Sequence, residues 1–392
     1  MNHLDIEQLR ADTPGVSQRV HFNNAGAGLM PRPVIEALKQ HIDLEAKIGG
    51  YEAANREQER CDKVYDSVAK LIGAKREEIA LVENATVAWQ MAFYGLDLAP
   101  GDRILTARAE YAANYVAFLQ RAAKIGCTIE VIPDRADGST DPEALEQMID
   151  DRVKLIAITH IPTNGGLINP AEAIGRIARH HGIAYLLDAC QALGQMPVDV
   201  NRLGCDFLSA TGRKFLRGPR GTGFLYVREE WFNRVEPPII DHFGAEWVAT
   251  DRYELRGDAR RYETWENAYA LRLGLGAAVD YALALGLEAI SARAFGLATH
   301  LREELAKIPG ITVTDLGEEK CAIVTFMHQA HDAPKIKQAM AERQINLSAS
   351  LPSSTRLDSE NRDLPVIVRA SPHYYNTEDE IARFCQALKD LG

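Results

Sequence analysis

The stretch that decides the fold is Ile183-Ala184-Tyr185-Leu186-Leu187-Asp188, an apolar run that ends in an acidic residue. A short apolar run that follows a glycine, here Gly182, is typical of a strand buried on both faces of a sheet. An earlier run at residues 153–161 shows the same pattern, and a helix that Asn169 and Pro170 open lies between the two. Strands that alternate with helices predict a mainly parallel sheet with helices on both faces, the α/β fold class.

The alternation extends in both directions from this stretch. Strands are predicted at residues 78–82, 103–107, 128–132 and 224–227, with helices at 33–47, 55–72, 86–96 and 115–125. Helices dominate from residue 266 to 308, and strands at 312–315, 322–326, 345–349 and 365–369 then alternate with helices at 333–343 and from 378. We therefore expect a large domain at 20–265 and a smaller α+β domain built from 1–19 and 266–392.

Composition and charge argue against several classes of function. The 392 residues carry 44 basic and 55 acidic side chains, a net charge of −11, without a run of like charges, so nucleic acid is not an expected partner. No signal-like start and no apolar segment long enough for a bilayer are present, so we expect a cytoplasmic protein without a membrane partner. The 6 cysteines form no CxxC pair, which is typical of reduced cytosolic thiols, and no metal site is expected.

Two charged residues follow strands of the predicted sheet at positions that suit chemistry. Asp188 ends one strand, and ligands of an open parallel sheet bind beyond the carboxyl ends of its strands. Lys214 comes 26 residues later, before the glycine-rich turn at residues 218–223. A cofactor held as a Schiff base needs a lysine of lowered pKa, and its pyridine nitrogen needs a carboxylate that keeps it protonated. The pair of Asp188 and Lys214 predicts such a cofactor, with Arg213 adding positive charge.

The whole stretch from residue 183 to 227 resembles the class V aminotransferase and cysteine desulfurase-like family of fold-type I enzymes. That family is pyridoxal-phosphate (PLP) dependent and has an aspartate aminotransferase-like fold. Where the family has Asp followed by Ala-Gln, then Ser-Gly-His-Lys, then Gly-Pro, this chain has Asp188-Ala189-Cys190-Gln191, Thr211-Gly212-Arg213-Lys214 and Gly218-Pro219. The resemblance runs from about His21 to the end. It implies PLP bound to Lys214 and a homodimer with its active sites at the subunit boundary.

The resemblance also implies a set of residues that hold the cofactor. Asp188 would pair with the ring nitrogen and Gln191 would hydrogen-bond the ring hydroxyl, while Thr211 and Arg213 would hold the phosphate. Cys190 stands where the family has a small alanine on one face of the ring, which favours a packing role. Further positions implied are the helix start at Ala85 and Thr86 as a phosphate cradle, Tyr111 as a plate stacked on the ring, and Thr163 as a cofactor-facing side chain.

The substrate is expected to be an α-amino acid. Arg369 matches the family's arginine that binds the substrate α-carboxylate through a two-pronged ion pair. Ala25 and Gly26 lie in a stretch that resembles the family's pocket-lining Leu-Asp-Asn-Ala-Ala. Glu266 stands where relatives carry a threonine that reaches the other subunit's phosphate, and a carboxylate cannot serve an anion directly.

The type of reaction stays open at this point. Desulfurases need a mobile cysteine in the loop before the carboxylate-binding arginine, whereas residues 348–356 hold serines and no cysteine, so persulfide-forming activity is not expected unless Cys321 supplies the thiol. The first expectation is a class V aminotransferase in which Lys214 moves the substrate's α-proton. The alternatives are a β-eliminating carbon–sulfur lyase in which Tyr111 assists the leaving group, an amino-acid racemase or epimerase, and a non-catalytic binding module, which the full residue set argues against.

Overall fold

The computed structural model describes residues 4–392. Its strands are β1 (Val20–His21), β2 (Ile79–Val82), β3 (Arg103–Thr106), β4 (Thr128–Val131), β5 (Val153–Thr159), β6 (Ala184–Asp188), β7 (Phe207–Thr211), β8 (Gly223–Val227), β9 (Ala245–Ala249), β10 (Arg252–Leu255), β11 (Ile311–Val313), β12 (Val324–His328), β13 (Ile345–Asn346), β14 (Ser348–Ser350) and β15 (Ile367–Ala370). Its α-helices are α1 (Ile6–Ala11), α2 (Arg32–Ile48), α3 (Gly50–Arg56), α4 (Gln58–Ile72), α5 (Ala85–Gly95), α6 (Ala112–Ile125), α7 (Pro142–Met148), α8 (Ala171–His181), α9 (Val200–Leu203), α10 (Tyr269–Leu285), α11 (Leu287–Ala306), α12 (Ala333–Glu342), α13 (Arg356–Asn361) and α14 (Glu378–Lys389).

The main sheet has seven strands in the order β2-β8-β7-β6-β5-β3-β4. Strand β8 runs antiparallel to both β2 and β7, and the other neighbouring pairs are parallel. Every residue of β6 is buried, as its apolar run predicts for a strand covered on both faces. The α/β fold class predicted from the alternation is confirmed.

The register of the central strands brings three polar side chains to one edge of the sheet. Thr159 at the end of β5 pairs with Asp188 at the end of β6, and Asp188 pairs with Ser209 of β7. Since these strands are parallel, their carboxyl ends meet at the same edge, where ligands of such sheets bind. Asp188 therefore lies at the edge of the sheet where a ligand is expected to bind.

A second, antiparallel sheet of four strands lies in the C-terminal part, in the order β11-β12-β15-β14. Helices α11, α12 and α14 contact this sheet or one another. Helix α10 packs instead against α2 and α4, which precede the main sheet in the chain. The division at residues 265 and 266 stays a prediction.

The N-terminal segment joins the C-terminal part of the chain. Strand β1 pairs with β13, and a bridge joins Asn23 to Ser371. The Ala25 amide donates to the Ser371 hydroxyl oxygen over 2.9 Å, and the Gly28 amide donates to the Arg213 carbonyl oxygen over 2.8 Å. Because of these contacts, residues 20–28 connect the C-terminal part of the chain to the segment that carries Lys214.

Two local features differ from the sequence-based expectation. The helix expected at residues 55–72 is divided into α3 and α4 at Glu57, and Gly73 ends α4 in the left-handed conformation at φ 67°. Strands β9 and β10 form an antiparallel hairpin that the alternation pattern does not predict. The hairpin leaves Trp247 75% exposed, because it lies outside both sheets.

In the described part of the chain, no single helix is long and apolar enough to cross a bilayer. The consecutive helices α10 and α11 reach that length and composition only as a pair, across a bend of 84°.

Helices α8 and α9 touch at Gly175, where a side chain has no room. A Cβ atom there would overlap the carbonyl oxygen of Leu203, so the backbones have to separate. We expect Gly175→Ala to lower the free energy of unfolding by about 1–3 kcal/mol, although alanine is the better helix former. Gly296→Ala in α11 is the matched control, since nothing lies within 4 Å of its Cβ position, and should raise stability by about 0.5–1 kcal/mol. Urea denaturation of both variants measures this, and equal effects would contradict the close contact.

Candidate active site

Lys214 lies in the turn after β7 and is almost fully buried, with 9% of its surface exposed. Burial lowers the pKa of its amine; Cys190 and Asp188 oppose this shift, and Arg213 and Arg369 add to it. Its Nζ lies 5.9 Å from the centroid of the Tyr111 ring. An amine of lowered pKa is available in its neutral form, which is the form that accepts protons and attacks carbonyl carbons.

The turn that carries Lys214 is held by the C-terminal segment of the chain. The His373 ring nitrogen Nε2 lies 2.7 Å from the Phe215 carbonyl oxygen, and burial keeps the pKa of His373 well below its usual value. Gly194 lies so close to Phe215 and Leu216 that a Cβ atom would overlap their backbone. These contacts restrain the backbone on the C-terminal side of the amine.

Arg217 stabilises the same turn, and only 1% of its surface is exposed. Its φ of 62° lies in the left-handed region that favours glycine, and its amide donates to the Lys214 carbonyl oxygen over 2.9 Å. Its guanidinium donates to the Leu29 carbonyl oxygen at 2.7 Å, the Tyr374 hydroxyl at 2.5 Å and the Thr13 hydroxyl at 2.6 Å. Arg217 carries no signal in the sequence, because its role depends on contacts with residues near both ends of the chain.

Asp188 is buried at the end of β6 with both carboxylate oxygens engaged. Its Oδ1 accepts from the Cys190 amide over 2.9 Å, and its Oδ2 accepts from Asn114 Nδ2 over 3.0 Å. Burial raises the pKa of the neighbouring Cys190 thiol well above its usual value, and the Asp188 charge raises it further. The thiol therefore stays protonated. Asn114 also donates to Glu110, the residue before Tyr111 in the chain.

A chain of hydrogen bonds joins Gln191 to Arg369. Gln191 Nε2 donates to the Thr163 hydroxyl and to the Ala25 carbonyl oxygen, both over 3.2 Å. Arg369 Nη1 donates to the same Thr163 hydroxyl over 2.7 Å and to the Thr163 carbonyl oxygen over 3.0 Å. The adjacent Asn164 turns away, and its Nδ2 donates to Leu351 and Thr355. Of the two adjacent residues, Thr163 is thus the one that joins the predicted set.

Arg369 is a buried guanidinium that hydrogen-bonds neutral oxygen atoms. It is 7% exposed, and burial together with the neighbouring Arg213 lowers its pKa to about 10. Its Nε has no hydrogen-bond partner among the described residues. A buried cation with spare donors is costly unless an anion neutralises it, so this position suits a carboxylate.

A cavity of about 240 Å³ opens beside these residues. Seven of the predicted positions line it, namely Ala25, Gly26, Tyr111, Thr163, Arg213, Lys214 and Arg369. The rest of the wall comes from Asn164 and from the segment around β14, which supplies Ser348, Ser350 and Ser354 and no thiol. A larger cavity of about 580 Å³ lies at the amino ends of β5 and β6, away from the edge where such sheets place their chemistry.

The helix start predicted as a phosphate cradle lies next to β7 and β8. Thr211 pairs with Gly223, and a Cβ atom on Gly223 would lie 3.0 Å from the Ala85 amide nitrogen. The side chain of Asn84 caps α5 by accepting from the Val87 amide. Gly223 therefore lets strand β8 pack closely against the start of α5, and the amides at a helix start suit an anion.

The structure also gives the surroundings of Arg213, Thr211, Glu266 and Cys321. Arg213 Nη1 donates to the Gly26 carbonyl oxygen, and the Thr211 hydroxyl donates to the Thr222 carbonyl oxygen over 3.2 Å. Glu266 is exposed. Cys321 is fully buried, its Sγ lies 3.9 Å from the Gly165 carbonyl oxygen, and burial raises its thiol pKa to about 12.

Comparisons with known proteins match nearly the whole chain to one family. The family model of class-V aminotransferases matches residues 20–384. A probable cysteine desulfurase of Xylella fastidiosa (strain 9a5c) is 32% identical over 98% of this chain and 95% of its own length. A probable cysteine desulfurase of Methanothermobacter thermautotrophicus is 28% identical over 100% of this chain and 99% of its own length.

Solved structures share the fold over the whole chain. The apo structure of a cysteine desulfurase from Thermococcus onnurineus NA1 has a TM-score of 0.93 at 28% identity, covering 100% of this chain and 99% of that one. A cystine C–S lyase, C-DES, has a TM-score of 0.86 at 23% identity, covering 96% and 99%, which shows the shared fold. The family resemblance seen in the sequence is confirmed: the chain belongs to the class-V aminotransferase family of pyridoxal-phosphate-dependent enzymes.

Proposed function

We propose that this enzyme is a carbon–sulfur lyase that removes the sulfur substituent of a cysteine-type amino acid by β-elimination. The observation that carries the proposal is a cavity lined by Lys214, Tyr111 and Arg369 in which the wall beside the amine holds serines and no thiol. Curated relatives at 28–32% identity are named cysteine desulfurases, which supports a cysteine-type substrate. A persulfide-forming enzyme, in contrast, needs a reactive cysteine in this wall.

The residues present fit PLP on their own chemistry. The buried Gln191 Oε1 has no hydrogen-bond partner among the described residues and is free to accept from a bound hydroxyl group. The start of α5 offers free amides to an anion, and Lys214 supplies a buried amine of lowered pKa. We assign the ring nitrogen to Asp188, the ring hydroxyl to Gln191, and the phosphate to Ala85, Thr86, Thr211 and Arg213. When bound, PLP supplies a carbonyl for imine formation and a cationic ring that accepts an electron pair.

Arg369 and Lys214 define how the substrate is held and deprotonated. Arg369 binds the α-carboxylate through the donors that the protein leaves unpaired, with Thr163 fixing the guanidinium. Lys214 in its neutral form takes the proton from the α-carbon, because burial disfavours its charged form. Ala25 and Gly26 line the same cavity beside these two residues.

Tyr111 is the residue assigned to the leaving group. Burial raises the pKa of its phenol, and the charge of Asp188 adds to this effect, so the phenol stays protonated at neutral pH. A protonated hydroxyl beside Lys214 can donate to a departing sulfur atom. Because the described cysteines are all buried, no thiolate competes for that role.

The products from L-cysteine distinguish the possible reactions. Elimination consumes water and yields pyruvate, ammonia and hydrogen sulfide, whereas desulfuration yields alanine and transfers sulfur to an enzyme thiol. Transamination without a keto acid stops after one turnover and leaves pyridoxamine phosphate. We expect sustained pyruvate and ammonia in equal amounts, measured by a lactate dehydrogenase assay and by amino-acid analysis.

The control for this assay is the enzyme treated with iodoacetamide, which blocks accessible thiols. Turnover of the lyase should be unchanged, because Cys190 and Cys321 are buried and hold raised thiol pKa values. Alanine as the main product, with loss of activity on alkylation, would show a desulfurase. Accumulation of pyridoxamine phosphate with no pyruvate across a panel of cysteine conjugates would instead show the aminotransferase expected first.

A further inference from the structure

Glu110 is a buried carboxylate that sits between strands β3 and β5 at the start of α6. Its Oε1 accepts from the Thr159 hydroxyl over 2.6 Å, from Asn114 Nδ2 over 2.8 Å and from the Tyr111 amide over 2.9 Å. Its Oε2 accepts from the Thr106 hydroxyl over 3.2 Å. Four donors thus converge on one side chain that is 3% exposed.

Two of these donors lead directly to the cofactor residues. The amide nitrogen of Asn114 donates both to Glu110 and to Asp188 Oδ2, the second bond being 3.0 Å long. The backbone amide that Glu110 holds belongs to Tyr111, whose ring faces the Lys214 amine. Glu110 is therefore one hydrogen bond away from the Tyr111 amide and two hydrogen bonds away from Asp188.

We propose that Glu110 is a positioning residue for the cofactor ring, acting on Asp188 through Asn114 and on Tyr111 through its backbone amide. This inference rests on the roles proposed above for Asp188 and Tyr111. It adds a second carboxylate whose negative charge favours a cation at the ring nitrogen. The carboxylate and its protonated form both fit, because Oε2 can donate a proton to the Thr106 hydroxyl while Oε1 keeps its three donors.

The charge of Glu110 changes in the neutral pH range. Burial raises its pKa to about 7, and Asp188, the charged group that faces it across Asn114, acts in the same direction. The hydroxyl and amide donors of Thr159, Asn114 and Tyr111 oppose this shift without reversing it. Because binding is reciprocal, a cationic ring favours the ionised form of Glu110, and ionised Glu110 favours the ring.

The first test uses cofactor-free protein and the variant Glu110→Gln, whose amide can make the same hydrogen bonds without charge. A carboxyl whose pKa is raised on folding contributes stability that is present below its unfolded value and lost as pH rises through its folded value. We expect the melting temperature of the wild type to fall relative to Glu110→Gln between about pH 5 and pH 8. Glu342→Gln, at an exposed position, is the matched control and should follow the wild type.

The second test measures PLP itself by tryptophan fluorescence and visible absorbance, without substrate. Glu110→Gln should weaken PLP binding above pH 7 by about 3- to 10-fold, and lower the pH midpoint of the visible band by about half a unit or more. In an Asn114→Ala background the effect of Glu110→Gln should be at least halved, because the link to Asp188 is removed.

The results of both tests do not depend on the proposed reaction, since no substrate is present. If Glu110→Gln matches the wild type in PLP affinity and in the absorbance midpoint, the positioning role is overturned. If the melting profiles also coincide from pH 5 to pH 8, Glu110 does not titrate there. Full additivity of the two substitutions would overturn the path through Asn114.

Discussion

Replacing Lys214 by alanine is expected to abolish turnover, with a fall in kcat of about 10³-fold or more. The amine is 9% exposed and has its pKa lowered by burial, so it is set up as the base for the α-proton. The backbone of its turn is held by Arg217 and His373, whose contacts do not involve the lysine side chain. The variant should therefore fold and lose only its chemistry.

Borohydride reduction provides a measurement that does not depend on substrate choice. The wild type should retain one reduced PLP adduct on the peptide that contains Lys214, and Lys214→Ala should retain none. Lys337→Ala, an exposed lysine in α12, is the control and should behave as the wild type in both assays. An adduct on another lysine, or unchanged turnover in Lys214→Ala, would remove the basis of the proposed mechanism.

Replacing Arg369 by methionine is expected to lower kcat/KM by about 10²- to 10³-fold for α-amino acids, mainly through KM. The guanidinium is buried, and among residues 4–392 it bonds only to Thr163 and has an unpartnered Nε. Since the free protein bears the cost of this unneutralised charge, Arg369→Met should be at least as stable as the wild type in urea. Loss of function without loss of stability is the signature of a binding residue.

A substrate without a carboxylate serves as the control for Arg369. Cysteamine conjugates lack the anion, so the wild type and Arg369→Met should process them at similar rates. Arg369→Lys should restore part of the lost kcat/KM, because lysine keeps the charge and loses the two-pronged geometry. An equal loss on both substrate types, or a clear drop in stability, would assign Arg369 a structural role instead.

The sequence predicted those parts of the molecule that local patterns encode. The apolar run before Asp188 and the capped helix after Asn169 were sufficient for the parallel strands β5 and β6. The hairpin β9–β10 was missed, because its exposed residues do not alternate clearly between polar and apolar. A helix was expected to continue across Glu57, because glutamate favours helix, whereas α3 and α4 are separate there.

The candidate site shows the same division. Residues with a chemical signature at a strand end, such as Lys214 and Asp188, could be chosen from the sequence, although their roles stay predictions. Glu110 could not, because its importance depends on Thr106 and Thr159 from two other strands. Its spacing of four residues from Asn114 was the one local sign. The homodimer implied by the resemblance stays a prediction as well.

The pairing of the N-terminal segment with the C-terminal part of the chain has a consequence for how the enzyme matures. Ala25 lines the cavity from one end of the chain, and its amide is held by Ser371 near the other end. The seven-stranded sheet can form while translation continues, whereas this wall cannot close until Ser371 has left the ribosome exit tunnel. A nascent chain should thus stay inactive until that point, and a truncation that removes Ser371 should disable the enzyme without touching Lys214.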